Sequence, residues 1–155
     1  MIRYLISRAI LTESRWLLAG PGREGLEAVV VWLGRELDGG DVEIVAVQMP
    51  EQIAIRTVDG VGVMLPDESV SRLIATLPAG LFVPIRLHTH PGSAYHSTTD
   101  DENKLLSHRG AISIVVPDFA ATEIDLSYCS VNELDEEFRW RELGADEVAE
   151  RFIVR

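Results

Sequence analysis

Two histidines, His88 and His90, stand two residues apart at the end of the apolar segment 81–87. That segment has the composition of a β-strand. Because side chains alternate along a strand, both imidazoles should leave the backbone on the same side. Two parallel imidazoles, joined by a carboxylate from a following element, match a tetrahedral zinc site whose fourth position stays open to water. The spacing therefore predicts zinc-dependent hydrolysis.

Several acidic residues after the histidines could supply the carboxylate. Asp100 is the natural third ligand, but Asp101 and Glu102 follow it directly. All three stand where the N-terminus of a short helix would favour acidic side chains, and the hydroxyl residues 97–99 before them are suitable N-caps. Spacing alone therefore leaves Asp100 and Asp101 almost equally good ligands.

Three other side chains are not expected to bind zinc. His96 is expected to be an exposed loop residue, because a fourth protein ligand would close the metal to substrate. Tyr95, in the same loop, is a candidate for lining a substrate groove. Cys129 is the only cysteine, so an internal disulfide is excluded, and its apolar surroundings in the run 124–129 predict a buried, unreactive thiol.

The composition is that of an acidic globular domain. The chain has 155 residues, with 14 basic and 25 acidic side chains and a formal net charge of −11. Excess negative charge opposes binding to a phosphate backbone, so no nucleic-acid partner is expected. No apolar run approaches the length of a membrane span, so no membrane partner is expected either. We predict a single cytoplasmic domain over residues 1–155.

The rest of the chain predicts helices interleaved with strands, which is typical of an α/β fold with a single mixed β-sheet flanked by helices. Helices are predicted over about 5–19, where Gly20-Pro21-Gly22 ends the helix, from Asp67 to Pro78, from Thr99 as a short helix, and over 145–152 as a terminal amphipathic helix. Strands are predicted at 26–33 and 42–47, which form a hairpin, and at 81–88, 111–117, 122–129 and 138–143. Residues 52–64 contain ambiguous β-prone pieces.

The pattern His-x-His-Pro, a short polar loop and Ser-x-x-Asp, with a glutamate well upstream, resembles the JAMM metallopeptidases, the catalytic branch of the MPN domain superfamily. The resemblance implies a layered MPN-type fold. It implies that His88, His90 and Asp100 bind one zinc ion, and it thereby selects Asp100 over Asp101. It also implies that the Ser97 hydroxyl contacts the oxyanion. The loop before Ser97 is one residue shorter than is usual in the family.

The general base of the family is a glutamate that opens an apolar strand about seven residues before a Leu-Gly ending. That spacing selects Glu27 in the segment 27–34, with Glu24 as the alternative. A carboxylate at the mouth of an apolar strand is partly desolvated, which raises its pKa toward that of a competent proton shuttle. Glu27 is therefore preferred as the base.

The resemblance implies a peptidase or isopeptidase that cuts the amide bond after the C-terminal tail of a ubiquitin-like or sulfur-carrier protein, as in stand-alone bacterial members of the family. An extended tail could add to a sheet edge near residues 82–86. Two alternatives are a non-catalytic MPN-type scaffold and a zinc hydrolase of a small amide. A scaffold has no physical need for the five candidate residues together. The oligomeric state is left open.

Overall fold

The computed structural model describes residues 1–95 and 106–155, which contain one eight-stranded sheet, a separate two-stranded hairpin and three α-helices. The strands are β1 (Tyr4–Ile6), β2 (Val29–Glu36), β3 (Val42–Gln48), β4 (Ile53–Thr57), β5 (Gly60–Met64), β6 (Phe82–Thr89), β7 (Ile112–Val116), β8 (Ser130–Leu134), β9 (Trp140–Glu142) and β10 (Phe152–Val154). The helices are α1 (Arg8–Gly22), α2 (Asp67–Ala75) and α3 (Ala145–Arg151), with short 3-10 turns at Asp118–Ala120 and Leu126–Tyr128.

The large sheet is mixed, with the strand order β10-β1-β3-β2-β6-β7-β8-β9. Strand β2 is antiparallel to both β3 and β6, whereas β6 and β7 are parallel. On one face, Leu18 of α1 and Val148 of α3 pack into the core that contains Val30. On the other face, Leu73 of α2 packs with Val31. The predicted α/β fold with one mixed sheet flanked by helices is confirmed.

Strand β2 lies in the centre of the sheet and is buried on both faces from Val29 to Gly34. Both faces are covered by helices, which explains the nearly continuous apolar sequence of this strand. Gly34 is needed there, because a Cβ atom at this position would lie 2.7 Å from Val42 Cγ1 and 3.0 Å from Pro84 Cγ. The strand pairing that brings β6 against β2 therefore depends on this missing side chain.

Strand β6 is not at an edge of the sheet, and the predicted docking of an extended tail along residues 82–86 is wrong. Its Ile85 lies opposite Trp32 of β2 on one side and Ile112 of β7 on the other. Pro84 is tolerated in this central strand because the pairing with β2 shifts register beside it and the pairing with β7 begins only at Ile85.

The first helix begins later and ends later than the sequence predicts. Residues Tyr4–Ile6 form β1, which is parallel to both β10 and β3, so the helix begins only at Arg8. The Ser7 hydroxyl caps it by accepting a hydrogen bond from the Ile10 amide at 3.4 Å. The helix then continues through residues 20–22, which the sequence marks as a stop.

The prediction of a strand at 122–129 is wrong. The strand in this part of the chain is β8, at Ser130–Leu134. The Asp125 carboxylate accepts hydrogen bonds from the Ser127 amide at 2.9 Å and the Ser127 hydroxyl at 2.7 Å. This local bonding closes a 3-10 turn at Leu126–Tyr128 and competes with an extended conformation. The predicted run therefore contains a turn that leads into the strand.

The remaining predicted elements are found with shifted ends. The hairpin of β2 and β3, helix α2, and strands β6, β7 and β9 lie where the sequence indicates. Residues 52–64 form the β4–β5 hairpin. The terminal helix ends at Arg151, and Phe152–Val154 pairs with β1 as β10. The helix predicted near Thr99 lies outside the described residues. No helix in the described part of the chain has both the length and the apolar character to cross a membrane.

The end of α1 lies against an unusual turn that follows β7. Asp118, Phe119 and Ala120 all have positive φ angles, of 55°, 53° and 57°. A Cβ atom on Gly22 would lie 2.5 Å from the Phe119 carbonyl oxygen and 2.8 Å from the Phe119 Cβ. The glycine therefore lets the helix approach the backbone of this turn.

We expect Gly22→Ala to lower the free energy of unfolding by about 1–3 kcal/mol, because the methyl group would overlap the turn backbone. Gly20→Ala is the matched control in the same helix, since no atom outside its chain neighbours lies within 4 Å of a Cβ atom there. It should change the free energy of unfolding by less than about 1 kcal/mol, because the better helix propensity of alanine is offset by its contact with the following Pro21. Denaturant unfolding of both variants checks this, and equal effects would contradict the close contact.

Candidate active site

The candidate site forms where the start of β2 meets the end of β6. Val29 lies opposite His88 in the antiparallel register. The same register, continued by two residues, brings Glu27 opposite His90 and on the side of the sheet to which both histidines point. Glu27 is half-buried and lies two residues before β2, so it precedes the strand that it was predicted to open. Glu24 is exposed.

The two imidazoles are buried side by side. His88 and His90 are each 4% exposed, their ring centroids are 5.1 Å apart, and the rings meet edge to face. Nε2 of His88 and Nδ1 of His90 have almost no contact with solvent. The ring of Tyr95 packs edge to face on His90 at 4.5 Å and is itself exposed at the surface. This arrangement agrees with the predicted projection of both histidines from one side of the strand.

Both the backbone amide and the backbone carbonyl of His90 form hydrogen bonds. Its amide donates to the Val116 carbonyl at 3.0 Å, which extends the pairing with β7. Its carbonyl accepts from the Phe119 amide at 2.9 Å, in the turn with positive φ angles. The Asp118 amide donates to the Gly92 carbonyl at 3.0 Å and fixes the next residues of the loop. The second histidine therefore lies on a fixed backbone.

Thr89 joins the two strands beyond their regular pairing, and sequence reasoning missed it. Its hydroxyl accepts from the Ala28 amide at 3.0 Å, and its amide donates to the Ala28 carbonyl at 3.1 Å. Thr89 is completely buried. A signal was present, since the residue between the two histidines must point to the opposite side of the strand. It fixes the backbone next to Glu27.

Gln52 holds the start of β2 from its other side. Its side-chain oxygen accepts from the Val29 amide at 2.8 Å, and its nitrogen donates to the Val29 carbonyl at 2.9 Å and to the Pro50 carbonyl at 2.8 Å. The Gln52 side-chain amide therefore forms the two hydrogen bonds to Val29 that a neighbouring strand would otherwise form. No sequence signal indicated this role, because it depends on how the chain after β3 returns to the sheet.

A polar row crosses the sheet on the side of the two histidines. Arg86 is 1% exposed, and its Nε donates to the Ser113 hydroxyl at 3.1 Å. Its guanidinium also lies over the Trp140 ring, 5.2 Å from the centroid. Asn132 lies opposite Ser113 and donates to the Ser130 hydroxyl at 3.0 Å. Sequence reasoning missed this buried row, which places a cation two residues before His88.

Cys129 is not a nucleophile in this structure. Burial, followed by the nearby Asp125 carboxylate, raises the pKa of its thiol to about 12, so the thiol stays protonated at neutral pH. Its Sγ donates to the Asp125 carbonyl at 3.4 Å. Cys129 is half-buried rather than buried as predicted, and it lines a cavity of about 440 Å³ together with Ser93 and Tyr128. The raised pKa agrees with the predicted lack of reactivity.

Iodoacetamide at pH 8 should therefore alkylate the native protein at least ten times more slowly than the unfolded chain. The thiolate is the reactive species, and a thiol with a pKa near 12 is almost entirely protonated at pH 8. Mass spectrometry of the alkylated protein with and without urea measures both rates. Equal rates would contradict the raised pKa.

The donors present fit zinc, but the described residues hold only part of the set. His88 and His90 supply two adjacent nitrogen ligands of the kind that zinc prefers. Within residues 1–95 and 106–155, no three histidine, cysteine or acidic side chains form a metal-binding group. The predicted ligand Asp100, the predicted oxyanion partner Ser97 and His96 all lie outside the described residues, so their roles stay predictions.

Comparison with known proteins identifies the class. No protein-family model matches the chain. The chain is 39% identical over 127 residues to the probable metalloprotease y4jG of Sinorhizobium fredii, covering 81% of this chain and 78% of the relative. The class is that of the metalloproteases, and the chain belongs to the family of this relative. The prediction that this chain is a metallopeptidase is confirmed at the level of this family.

Solved structures share the fold at low sequence identity. A protein from Salinibacter ruber aligns with a TM-score of 0.58 and 20% identity, covering 97% of this chain and 90% of that one. A JAB1/MPN domain protein from Archaeoglobus fulgidus aligns with a TM-score of 0.49 and 17% identity, covering 96% of each chain. The first likeness shows that the fold occurs in another solved protein.

We expect Thr89→Val to lower the free energy of unfolding by about 1–3 kcal/mol, because the buried Ala28 amide would lose its acceptor. Thr89→Ser keeps the hydroxyl and is the matched control, with a smaller loss. Activity of the folded Val variant should fall as well, since the backbone beside Glu27 would move. Denaturant unfolding and turnover of both variants test this, and similar results for Val and Ser would refute the role of the hydroxyl.

Proposed function

We propose that this protein is a zinc-dependent peptidase or isopeptidase that cuts the amide bond after the C-terminal tail of a ubiquitin-like or sulfur-carrier protein. One observation carries the proposal. Two buried imidazoles lie side by side at the end of β6, and the register with β2 brings Glu27 to the same side of the sheet. This is the arrangement that a metal-dependent hydrolase with a nearby proton acceptor requires.

Each proposed site residue has a separate role in the hydrolysis. His88 and His90 hold the zinc ion together with Asp100. A bound zinc ion would polarise the substrate carbonyl and lower the pKa of water toward about 7. Glu27 accepts a proton from the attacking water on its carboxylate and returns it to the departing amine nitrogen. The Ser97 hydroxyl donates a hydrogen bond to the carbonyl oxygen as negative charge develops there.

The surroundings support Glu27 as the proton carrier. Its carboxylate is half-buried, and the adjacent Ala28 and Val29 are fixed by Thr89 and Gln52, so its backbone cannot drift away from the histidines. A positioned base keeps a short path to the water without paying reorganisation entropy in each cycle. Glu24 is exposed and lies in the turn before the strand, where its amide donates to the Pro21 carbonyl and its carbonyl accepts from Arg56, so it is fixed to the end of α1 and to β4.

A cavity of about 440 Å³ opens next to Ser93 and Ala94, close after the histidines along the chain. Neither histidine nor Glu27 lines this cavity, so a protein tail bound in it would contact the chain away from the cleaved bond. Single, free Cys129 agrees with a protein that acts in the reducing cytoplasm. Hydrolysis of a small amide is the competing function, and a protein substrate distinguishes the two.

We expect Glu27→Gln to lower turnover about 10²–10⁴-fold while zinc stays bound, since the amide has the same shape but cannot accept the proton, and all three proposed ligands are kept. Glu24→Gln is the matched control and should keep turnover within about twofold of the original protein. The measurement is cleavage of a fusion of a ubiquitin-like protein to a reporter, with zinc content from elemental analysis. Full activity of Glu27→Gln with bound zinc would refute the assignment.

We expect His88→Ala to abolish stoichiometric zinc binding, and with it all cleavage. His108→Ala is the control, because His108 stands outside the site and burial alone lowers its pKa. Elemental analysis after dialysis against a weak chelator measures the zinc in both variants. A protein that contains no zinc before mutation would favour the non-catalytic scaffold. Zinc-dependent cleavage of small amides but not of the fusion would favour the small-amide hydrolase.

A further inference from the structure

We propose that a groove along α1 binds an acidic segment of a partner polypeptide. The groove has a volume of about 280 Å³ and lies between α1 and the chain after the Asp118–Ala120 turn. Three arginines of α1 and its C-cap line it, together with an exposed tryptophan. The residues that carry this argument are Arg8, Arg15, Arg23, Trp16 and, on the opposite wall, Glu123 and Ile124.

The three arginines lie together in one groove, and no carboxylate of the described residues neutralises them; Arg56, which donates to the Glu24 carbonyl, is elsewhere. Among residues 1–95 and 106–155, no acidic group lies within salt-bridge distance of Arg8, Arg15 or Arg23. Most other arginines do have such a partner. The ion pairs are Arg3–Asp41, Arg35–Glu43, Arg72–Glu51, Arg109–Glu136, Arg139–Glu137, Arg141–Glu147, Arg151–Glu133 and Arg155–Glu43.

This concentration of positive charge contrasts with the rest of the molecule. The formal net charge is −11, so carboxylates are in excess and are available to pair with most of the basic groups. In the groove only Glu123 opposes the three cations, and it forms no ion pair with them. A site that keeps its cations unpaired in an acidic protein is matched to a ligand that brings its own negative charges.

The spacing of the arginines requires an elongated ligand. Arg8, Arg15 and Arg23 are seven and eight residues apart, which corresponds to about 22 Å along the helix axis. A small anion can contact one of these positions at a time. An extended peptide of about seven residues spans the same length. Several carboxylates spread along one chain therefore fit this row better than a single phosphate or carboxylate.

Two side chains in the middle of the row favour a peptide with apolar residues between its acids. Trp16 is 80% exposed and offers a large apolar ring to solvent. Arg15 is held in place, since its Nη2 donates to the Ala121 carbonyl at 2.7 Å and its Nε to the Ala120 carbonyl at 3.3 Å. Because this guanidinium is already ordered, less side-chain entropy is lost when a ligand binds.

Charge over the whole molecule favours an acidic polypeptide over a nucleic acid. A phosphate backbone carries a dense row of negative charge that the surrounding acidic surface repels. An acidic peptide with a few spaced carboxylates is repelled less and can place apolar side chains on Trp16. The groove shares Glu123 and Ile124 with the cavity next to Ser93, but its lining includes neither histidine nor Glu27. The charge argument uses none of the proposed catalytic residues, so this inference does not depend on the proposed peptidase activity.

The test compares two double variants that remove the same charge. Arg8→Gln with Arg23→Gln removes two unpaired arginines of the groove, whereas Arg35→Gln with Arg139→Gln removes two arginines that are paired elsewhere. The probe is a fluorescein-labelled ten-residue peptide of alternating Glu and Leu, followed by fluorescence anisotropy with the full chain. We expect Kd to rise at least tenfold in the groove variant and to stay within twofold in the control.

Three further measurements complete the test. Trp16→Ala should weaken binding of the same peptide at least threefold, and added salt should weaken binding to the original protein. A peptide of alternating Lys and Leu should not bind. Equal loss in both double variants, or no binding of the Glu-Leu peptide below 1 mM, would overturn the proposal. Tighter binding of a ten-residue oligothymidylate than of the peptide would overturn the choice of an acidic polypeptide.

Discussion

The antiparallel pairing of β2 with β6 is the interaction on which the rest of the site depends. It sets Val29 against His88, and every other relation in the site follows from that register. Because side chains alternate along a strand, a shift by one residue would turn both histidines to the opposite face of the sheet. Thr89 bonds both polar groups of Ala28 at one end of the pairing, and Gly34 leaves room for Pro84 at the other. The geometry of the site thus depends on Gly34 and Thr89, which have no proposed catalytic role.

The features with a local signal in the sequence were predictable. The buried strand β2, the β2–β3 hairpin, the strand that ends in the histidines and the helix at Asp67 follow from apolar periodicity and turn residues. The facing of His88 and His90 to one side follows from the strand alternation alone. The family membership followed from the spacing of a few polar residues. These properties are encoded within short stretches of chain.

The features that were predicted wrongly or missed depend mostly on contacts between distant parts of the chain. The three-residue strand β1 has too little sequence to show a pattern, and its pairing partners lie far away at β3 and β10. The error at 122–129 arose because the local bonding of Asp125 overrides the apolar composition of the run. The central position of β6 could not be read from its own residues. Gln52 and the buried Arg86 likewise acquire their roles only from the tertiary arrangement.

The turn at Asp118–Ala120 has a consequence for how the protein should open as it is warmed. Three consecutive non-glycine residues in the left-handed region each cost on the order of 1–3 kcal/mol, which the surrounding contacts must offset. Those contacts are the hydrogen bonds to His90 and Gly92 and the close fit against Gly22. The turn is therefore a weak point of the fold, placed between the strand that carries the two histidines and the end of α1. Local unfolding that begins there would release both together, well before the central strands separate.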